Sequence, residues 1–198
     1  MPPLPSIMIW TILAPLLTFD HVRSKRLNTF AGPFIAYAHA WDLCPSDGSI
    51  EMTLRSSHFN PLKPSERQTV SGNVSFKIDY TDQFWSHADL ALRSNNQWKE
   101  NAFLFQFRKM GCSGIRDQIP DFFRVLAKHS GASMDRREPC VLPAGHYILK
   151  NEPVNWTFPN FPVMPYGRYR LRIRSRTARD SPVTRFCILV DCEVIPKP

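Results

Sequence analysis

Arg168-Tyr169-Arg170-Leu171-Arg172-Ile173-Arg174 alternates a guanidinium with an apolar side chain over seven residues. Successive side chains of a strand point to opposite faces, so Tyr169, Leu171 and Ile173 share one side and four arginines the other. A strand with one apolar and one solvated face belongs to an antiparallel sheet, because parallel sheets are buried on both faces. Residues 73–80 read NVSFKIDY and repeat the pattern, with Val74, Phe76, Ile78 and Tyr80 opposite Ser75, Lys77 and Asp79. Residues 50–54, 88–92 and 103–108 behave similarly, the last placing Phe103, Phe105 and Phe107 together. Residues 184–195 carry apolar runs on either side of Asp191.

Turn residues separate these segments: Pro61, Pro64, Gly72, Asn95-Asn96, Pro143 to Gly145, and the stretch 159–167. One segment departs from the alternation. Residues 117–129 place Ile119, Phe122, Phe123 and Leu126 at helical spacing, with Pro120 compatible only with a first turn. Seven or eight short strands with one short helix predict an all-β fold, an antiparallel sandwich, cup or barrel.

Composition agrees. The 198 residues suffice for one domain, and 18 prolines with 12% aromatic residues argue against a helix bundle. A hydrophobic share of 43% and a charged share of 21% describe a chain that folds. The formal net charge of +8 favours anionic partners, without choosing among nucleic acid, an acidic membrane surface and an acidic substrate.

The compartment narrows that choice. Residues 7–19 read IMIWTILAPLLTF, which has the length of a signal peptide and is shorter than the roughly 20 apolar residues of a membrane span. No Lys or Arg precedes the run, and the alternative is a buried terminal helix. The reading assigns 1–24 to a signal peptide and 25–198 to a single domain, with cleavage near Ser24 or later at Lys25-Arg26. Asn73-Val74-Ser75 and Asn155-Trp156-Thr157 are glycosylation sequons. All five cysteines follow the apolar run, and none forms a CxxC pair, so disulfides are expected rather than a zinc site, with one cysteine left over. A secretory route to the lysosome or the cell exterior disfavours nucleic acid.

Catalytic signatures are missing. The sequence has no G-x-S-x-G elbow, H-E-x-x-H helix or Gly-rich phosphate loop. The six histidines (21, 39, 58, 87, 129, 146) lack metal-ligand spacing. The expectation is a non-catalytic protein with no cofactor and no metal, although a triad assembled in space leaves no mark in sequence.

Four stretches, in order, resemble the ganglioside GM2 activator family of the ML lipid-recognition superfamily. Trp41-Asp42-Leu43-Cys44 is similar to its opening W-D-x-C, and Gly72-Asn73-Val74-Ser75 to its G-N-V-[ST] strand. Cys140 to Tyr147 is similar to its C-P-x-x-x-G-x-Y turn, and Gly167 to Leu171 to its G-x-Y-R-[IL] strand. The resemblance spans residues 39–196. It implies a β-cup whose apolar cavity holds lipid, lined by Phe76, Ile78, Leu90, Leu92, Phe103, Phe105, Phe107, Leu171 and Ile173; the residues alone favour these side chains as the filling of a solid sandwich core. It pairs Cys44 with Cys187 and Cys112 with Cys140, and leaves Cys192 extra, with a Cys44–Cys192 bond as the alternative. Two further bonds of the family have no counterpart here.

The resemblance further implies a membrane-facing loop carrying Phe158, Phe161, Val163, Met164 and Tyr166, the alternative being a loop packed over one end of the sandwich. Asn73 and Asn155 are the glycosylation sites. The arginine row, with Arg176 and Arg179, is either the solvated face of a strand or an attractor for anionic lipid. The implied activity is extraction of a glycosphingolipid or other two-chain lipid from an anionic membrane surface and its presentation to β-hexosaminidase A; the alternatives are an extracellular carrier of the same fold and an adhesion module with a solid core. Lifting about 30 methylenes out of a bilayer forfeits roughly 25 kcal/mol at ~0.8 kcal/mol each, which an enclosed apolar cavity can offset and a surface patch cannot.

Overall fold

The computed structural model describes residues 30–198. The apolar run, its cleavage points and the 1–24 boundary lie outside the described residues. The chain forms β1 (Ala31–Gly32), β2 (Phe34–Leu43), β3 (Ile50–Ser56), β4 (Gln68–Phe76), β5 (Tyr80–Thr81), β6 (Trp85–Ser94) and β7 (Gln97–Phe107). Two helices follow, α1 (Gly111–Gln118) and α2 (Pro120–Ser130). The rest is β8 (Val141–Leu142), β9 (Gly145–Val154), β10 (Met164–Pro165), β11 (Gly167–Arg176) and β12 (Phe186–Pro196).

Every strand pairing is antiparallel. One sheet has five strands in the order β2-β12-β11-β6-β7, a second has three in the order β3-β4-β9, and β1-β10 and β5-β8 are short bridges. The architecture is an all-β antiparallel sandwich opened into a cup on the side of the larger sheet. β11, the strand whose alternation was plainest, lies at the centre of that sheet, between β12 and β6. Asn95 and Asn96 join β6 to β7, both with positive φ, as a two-residue turn matching the twist of the strands requires.

The outer face of β11 is a row of ion pairs. Arg168 bonds Asp191, Arg170 bonds Glu100, and Arg172 and Arg174 share Asp89, whose side chain is 4% exposed. Arg170 also lies over the Trp98 ring, 4.9 Å from its centroid. Four of the arginines are thus matched by carboxylates, and the row is a solvated strand face with its charge largely balanced.

The structure departs from the sequence reading at two elements. The strand expected over 73–80 begins earlier and stops at Phe76; Lys77 donates its backbone N–H to Ser49, Ile78 lies in a bend and is 38% exposed, and Tyr80 rejoins the fold in β5. Its alternation ran on through a turn. The single helix expected over 117–129 is two helices broken at Ile119, where φ −134° and ψ 63° are non-helical values. The residue before a proline is disfavoured in helical geometry, so Pro120 restarts the chain as the first residue of α2.

Both disulfides are formed, Cys44–Cys187 across 143 residues and Cys112–Cys140 across 28. Closing loops of these lengths restricts the unfolded chain by about 5 and 3.5 kcal/mol on the chain-entropy model. Cys192 is free.

Candidate functional site

The larger sheet buries its inner face in two different ways. Along β11 the inward side chains are Tyr169, Leu171, Ile173 and Ser175. Tyr169 and Ser175 are fully buried, whereas Leu171 and Ile173 between them keep exposed surface. That surface faces a cavity.

The cavity has a volume of about 180 Å³ and is open to solvent on one side. The concave sheet supplies one wall: Phe34, Ala36 and Ala38 of β2, Ile188, Val190, Cys192 and Val194 of β12, Leu171 and Ile173 of β11, Ala88 and Leu90 of β6, and Phe105 and Phe107 of β7. Three of these inward positions are alanines, and their small side chains leave the space that leucine or phenylalanine would fill. α1 contributes Gly111, Gly114, Ile115 and Gln118, and α2 contributes Phe122. No Asp, Glu, Lys or Arg lines the cavity. His87 belongs to it, but alternation along β6 sends its ring outward, where burial, then Arg174, Arg176 and Arg179, push its pKa below the usual value.

One end is closed by α1. A Cβ at Gly111 would lie 2.6 Å from the Thr81 carbonyl oxygen and 2.7 Å from Phe84 Cβ, so only glycine lets the helix sit this close to β5. The Cys112–Cys140 bond fastens the same helix to the chain just before β8.

A strap formed by residues 155–163 crosses the open side. Phe158 stacks on Phe34 of β2 with centroids 6.1 Å apart, and Phe161 meets Phe105 of β7 edge-on at 5.0 Å. β2 and β7 are the two edges of the five-stranded sheet, so the strap reaches from one rim of the cup to the other. Its root is held by Gln68, whose Oε1 accepts from Trp156 Nε1 and Ala38 N while its Nε2 donates to the carbonyls of Ala38 and Ser57. Asn160 Nδ2 donates to Gln118 Oε1 and tethers the middle of the strap to α1.

The residues singled out from the sequence divide. Leu90, Phe105, Phe107, Leu171 and Ile173 line the cavity together. Phe76 is buried in the solid half of the sandwich, because β4 belongs to the smaller sheet. Ile78 points to solvent, while Leu92 and Phe103 pack around Tyr169 beside the cavity. In the loop, Phe158, Phe161 and Met164 turn inward to the lining, Tyr166 donates its hydroxyl to the Pro33 carbonyl, and Val163 is 55% exposed. Asn73 and Asn155 are both exposed.

Sequence reasoning missed Trp41, Tyr80, Ser86, Ile115, Phe122, Cys192 and the alanines as lining residues. The alanines left a signal, since Ala36 and Ala38 alternate with larger residues in FIAYAHAWDL. Cys192 carries a thiol that burial, then Asp191, pushes up to about 12, so it stays protonated at neutral pH. Among the described residues no group of three or more His, Cys, Asp or Glu side chains is placed to hold a metal ion, and no helix is long and apolar enough to cross a membrane. Compared with known protein families and with curated proteins, the chain matches none.

Proposed function

We propose that the protein is a non-catalytic lipid carrier that takes the apolar chains of a membrane lipid into the cup and keeps its polar part outside. The observation that carries this reading is an apolar cavity with no formal charge in its walls, bordered by inward side chains of the larger sheet that are left incompletely packed. Empty apolar space of this kind lacks dispersion partners on one side, and an alkyl chain supplies them. The strap is the route of entry: its aromatic residues dock on both rims, and Val163 faces outward where a bilayer surface would meet it.

The resemblance of the sequence makes the ligand a two-chain glycosphingolipid, the membrane an anionic one, the compartment the lysosome or cell exterior, and the recipient of the presented lipid β-hexosaminidase A. An extracellular carrier of the same fold with no hydrolase partner is the other form of the same proposal.

Transfer of a fluorescent two-chain lipid between vesicles tests it. The protein should accelerate transfer, and Ala88→Phe, which fills the cavity, should abolish the acceleration while the protein remains folded. No acceleration, or equal acceleration by Ala88→Phe, would contradict the proposal. Addition of β-hexosaminidase A and its glycolipid substrate then separates the two forms, since only the activator raises hydrolysis.

A further inference from the structure

One part of the cavity wall is not apolar. Tyr80 Oη lies 2.6 Å from Ser175 Oγ and 3.0 Å from Ser86 Oγ, and the two serine oxygens are 2.9 Å apart. All three residues are buried, yet Tyr80 and Ser86 are part of the cavity lining, with Ser175 behind them. Ser175 pairs across the sheet with both Ser86 and Phe186, eight residues along β11 from Gly167. At about 3.3 Å per residue, that row lies about 26 Å from the rim where Gly167 pairs with Val194. The trio therefore marks the end closed by α1.

The hydrogen-bond arithmetic of the trio is specific. Three hydroxyls hold three protons and make three mutual contacts, so a ring in which each donates to the next engages every proton. One lone pair then remains on each oxygen. Phenylalanine and alanine would form the same wall without removing polar atoms from water. Other polar groups of the lining have partners elsewhere: Tyr37 bonds Glu193, Trp41 Nε1 donates to Ser56, Trp156 Nε1 donates to Gln68, and Gln118 accepts from Asn160. Apart from Gln118, whose Oε1 keeps one lone pair beside the strap, the spare accepting capacity at this end of the lining lies on Tyr80 and Ser86.

We infer that the closed end of the cavity is a hydroxyl-recognition site, which accepts a hydrogen bond from a single hydroxyl at the leading end of an otherwise apolar occupant: an ω-hydroxylated chain or a sterol. This deepens the lipid-carrier reading and rests on it. A ligand hydroxyl entering an apolar cavity forfeits its bonds to water unless an acceptor waits there, so the trio decides whether such a ligand is admitted. A ligand carbonyl brings no proton, and it gains a bond only by opening the ring.

Displacement of a bound fluorescent acyl probe from the full chain by matched pairs tests the inference: ω-hydroxypalmitate against palmitate, and cholestanol against cholestane. In one pair the hydroxylated member should bind about three- to tenfold more tightly, and the pair that shows it names the source. The preference should vanish in Ser86→Ala and in Tyr80→Phe. It should persist in Ser86→Thr, which keeps the hydroxyl, and in Ser71→Ala, whose hydroxyl bonds Asn151 away from the cavity. Equal binding within both pairs, or a preference that survives in Ser86→Ala and Tyr80→Phe, would overturn the hydroxyl site and leave lipid binding standing. Failure of the acyl probe and of all these ligands to bind the wild-type protein would overturn both.

Discussion

Phe123, Val125, Leu142 and Val154 are enclosed on every side, whereas Leu171 and Ile173, equally apolar and equally inward, keep surface that no side chain covers. The two groups belong to the two halves of one sandwich, and what differs is the cover. Over the smaller sheet lies α2, which buries Phe122, Phe123, Val125 and Leu126 and is locked to β9 where Lys128 and His129 bond Glu152. Over the larger sheet lie α1, with glycines at its contacts, and a proline-rich strap that touches the rims. One half is filled and carries stability; the other is spanned and carries the cavity.

Phe123→Ala gives the largest expected effect, since truncating a fully buried aromatic costs about 3–5 kcal/mol, read by urea unfolding. Leu171→Ala should cost less than about 2 kcal/mol, because its side chain already borders empty space. Equal losses would break the comparison and make the larger sheet's face ordinary core.

Glu152 sharpens the filled half. The Lys128 ammonium, with His129 assisting against the opposing effect of burial, holds its carboxyl below the usual range. A carboxylate lowered in the folded state stabilises above its unfolded pKa of about 4.3, and that contribution is lost as pH falls through the folded value. The stability contributed by this cluster should therefore be retained at pH 5 and decline progressively as pH falls below about 4.3 through the lowered folded value. Glu152→Gln should cost about 1–3 kcal/mol at neutral pH and flatten the acid limb of a thermal-melt pH series. An unchanged acid limb would remove Glu152 from the account.

The strap is the corresponding test on the hollow half. Replacing Phe158 and Phe161 by Ala removes two aromatic contacts worth about 0.5–1.5 kcal/mol each, yet should speed release of bound lipid about tenfold or more. A stability loss as large as that of Phe123→Ala would make the strap core. Arg170→Ala on the outer face, beyond both halves, should change stability by less than about 1 kcal/mol, as for other exposed ion pairs. A larger change in the melting curve would give the arginine row a structural part.

Legibility followed the reach of the forces involved. β11 was readable because one face meets water, so local alternation encodes it. The Asn95-Asn96 turn was readable because positive φ selects few residue types. α1 was not, since GCSGIRDQ shows no helical apolar period and its glycines make sense only beside Phe84 and Phe107. β4 was overextended because the turn at 77–79 preserves alternation. The cavity residues were half legible: inward apolar positions could be named, but which of them meet empty space depends on Phe158 and Phe161 reaching Phe34 and Phe105, contacts between residues more than 50 positions apart.

Native mass spectrometry of the protein secreted from eukaryotic cells, followed by extraction of any co-purified lipid, tests the central claim most directly. The account predicts a lipid at one molecule per chain, released on denaturation and diminished in Ala88→Phe. A protein that carries no lipid, and takes none from vesicles, would contradict it and leave the hollow half as an unfilled core.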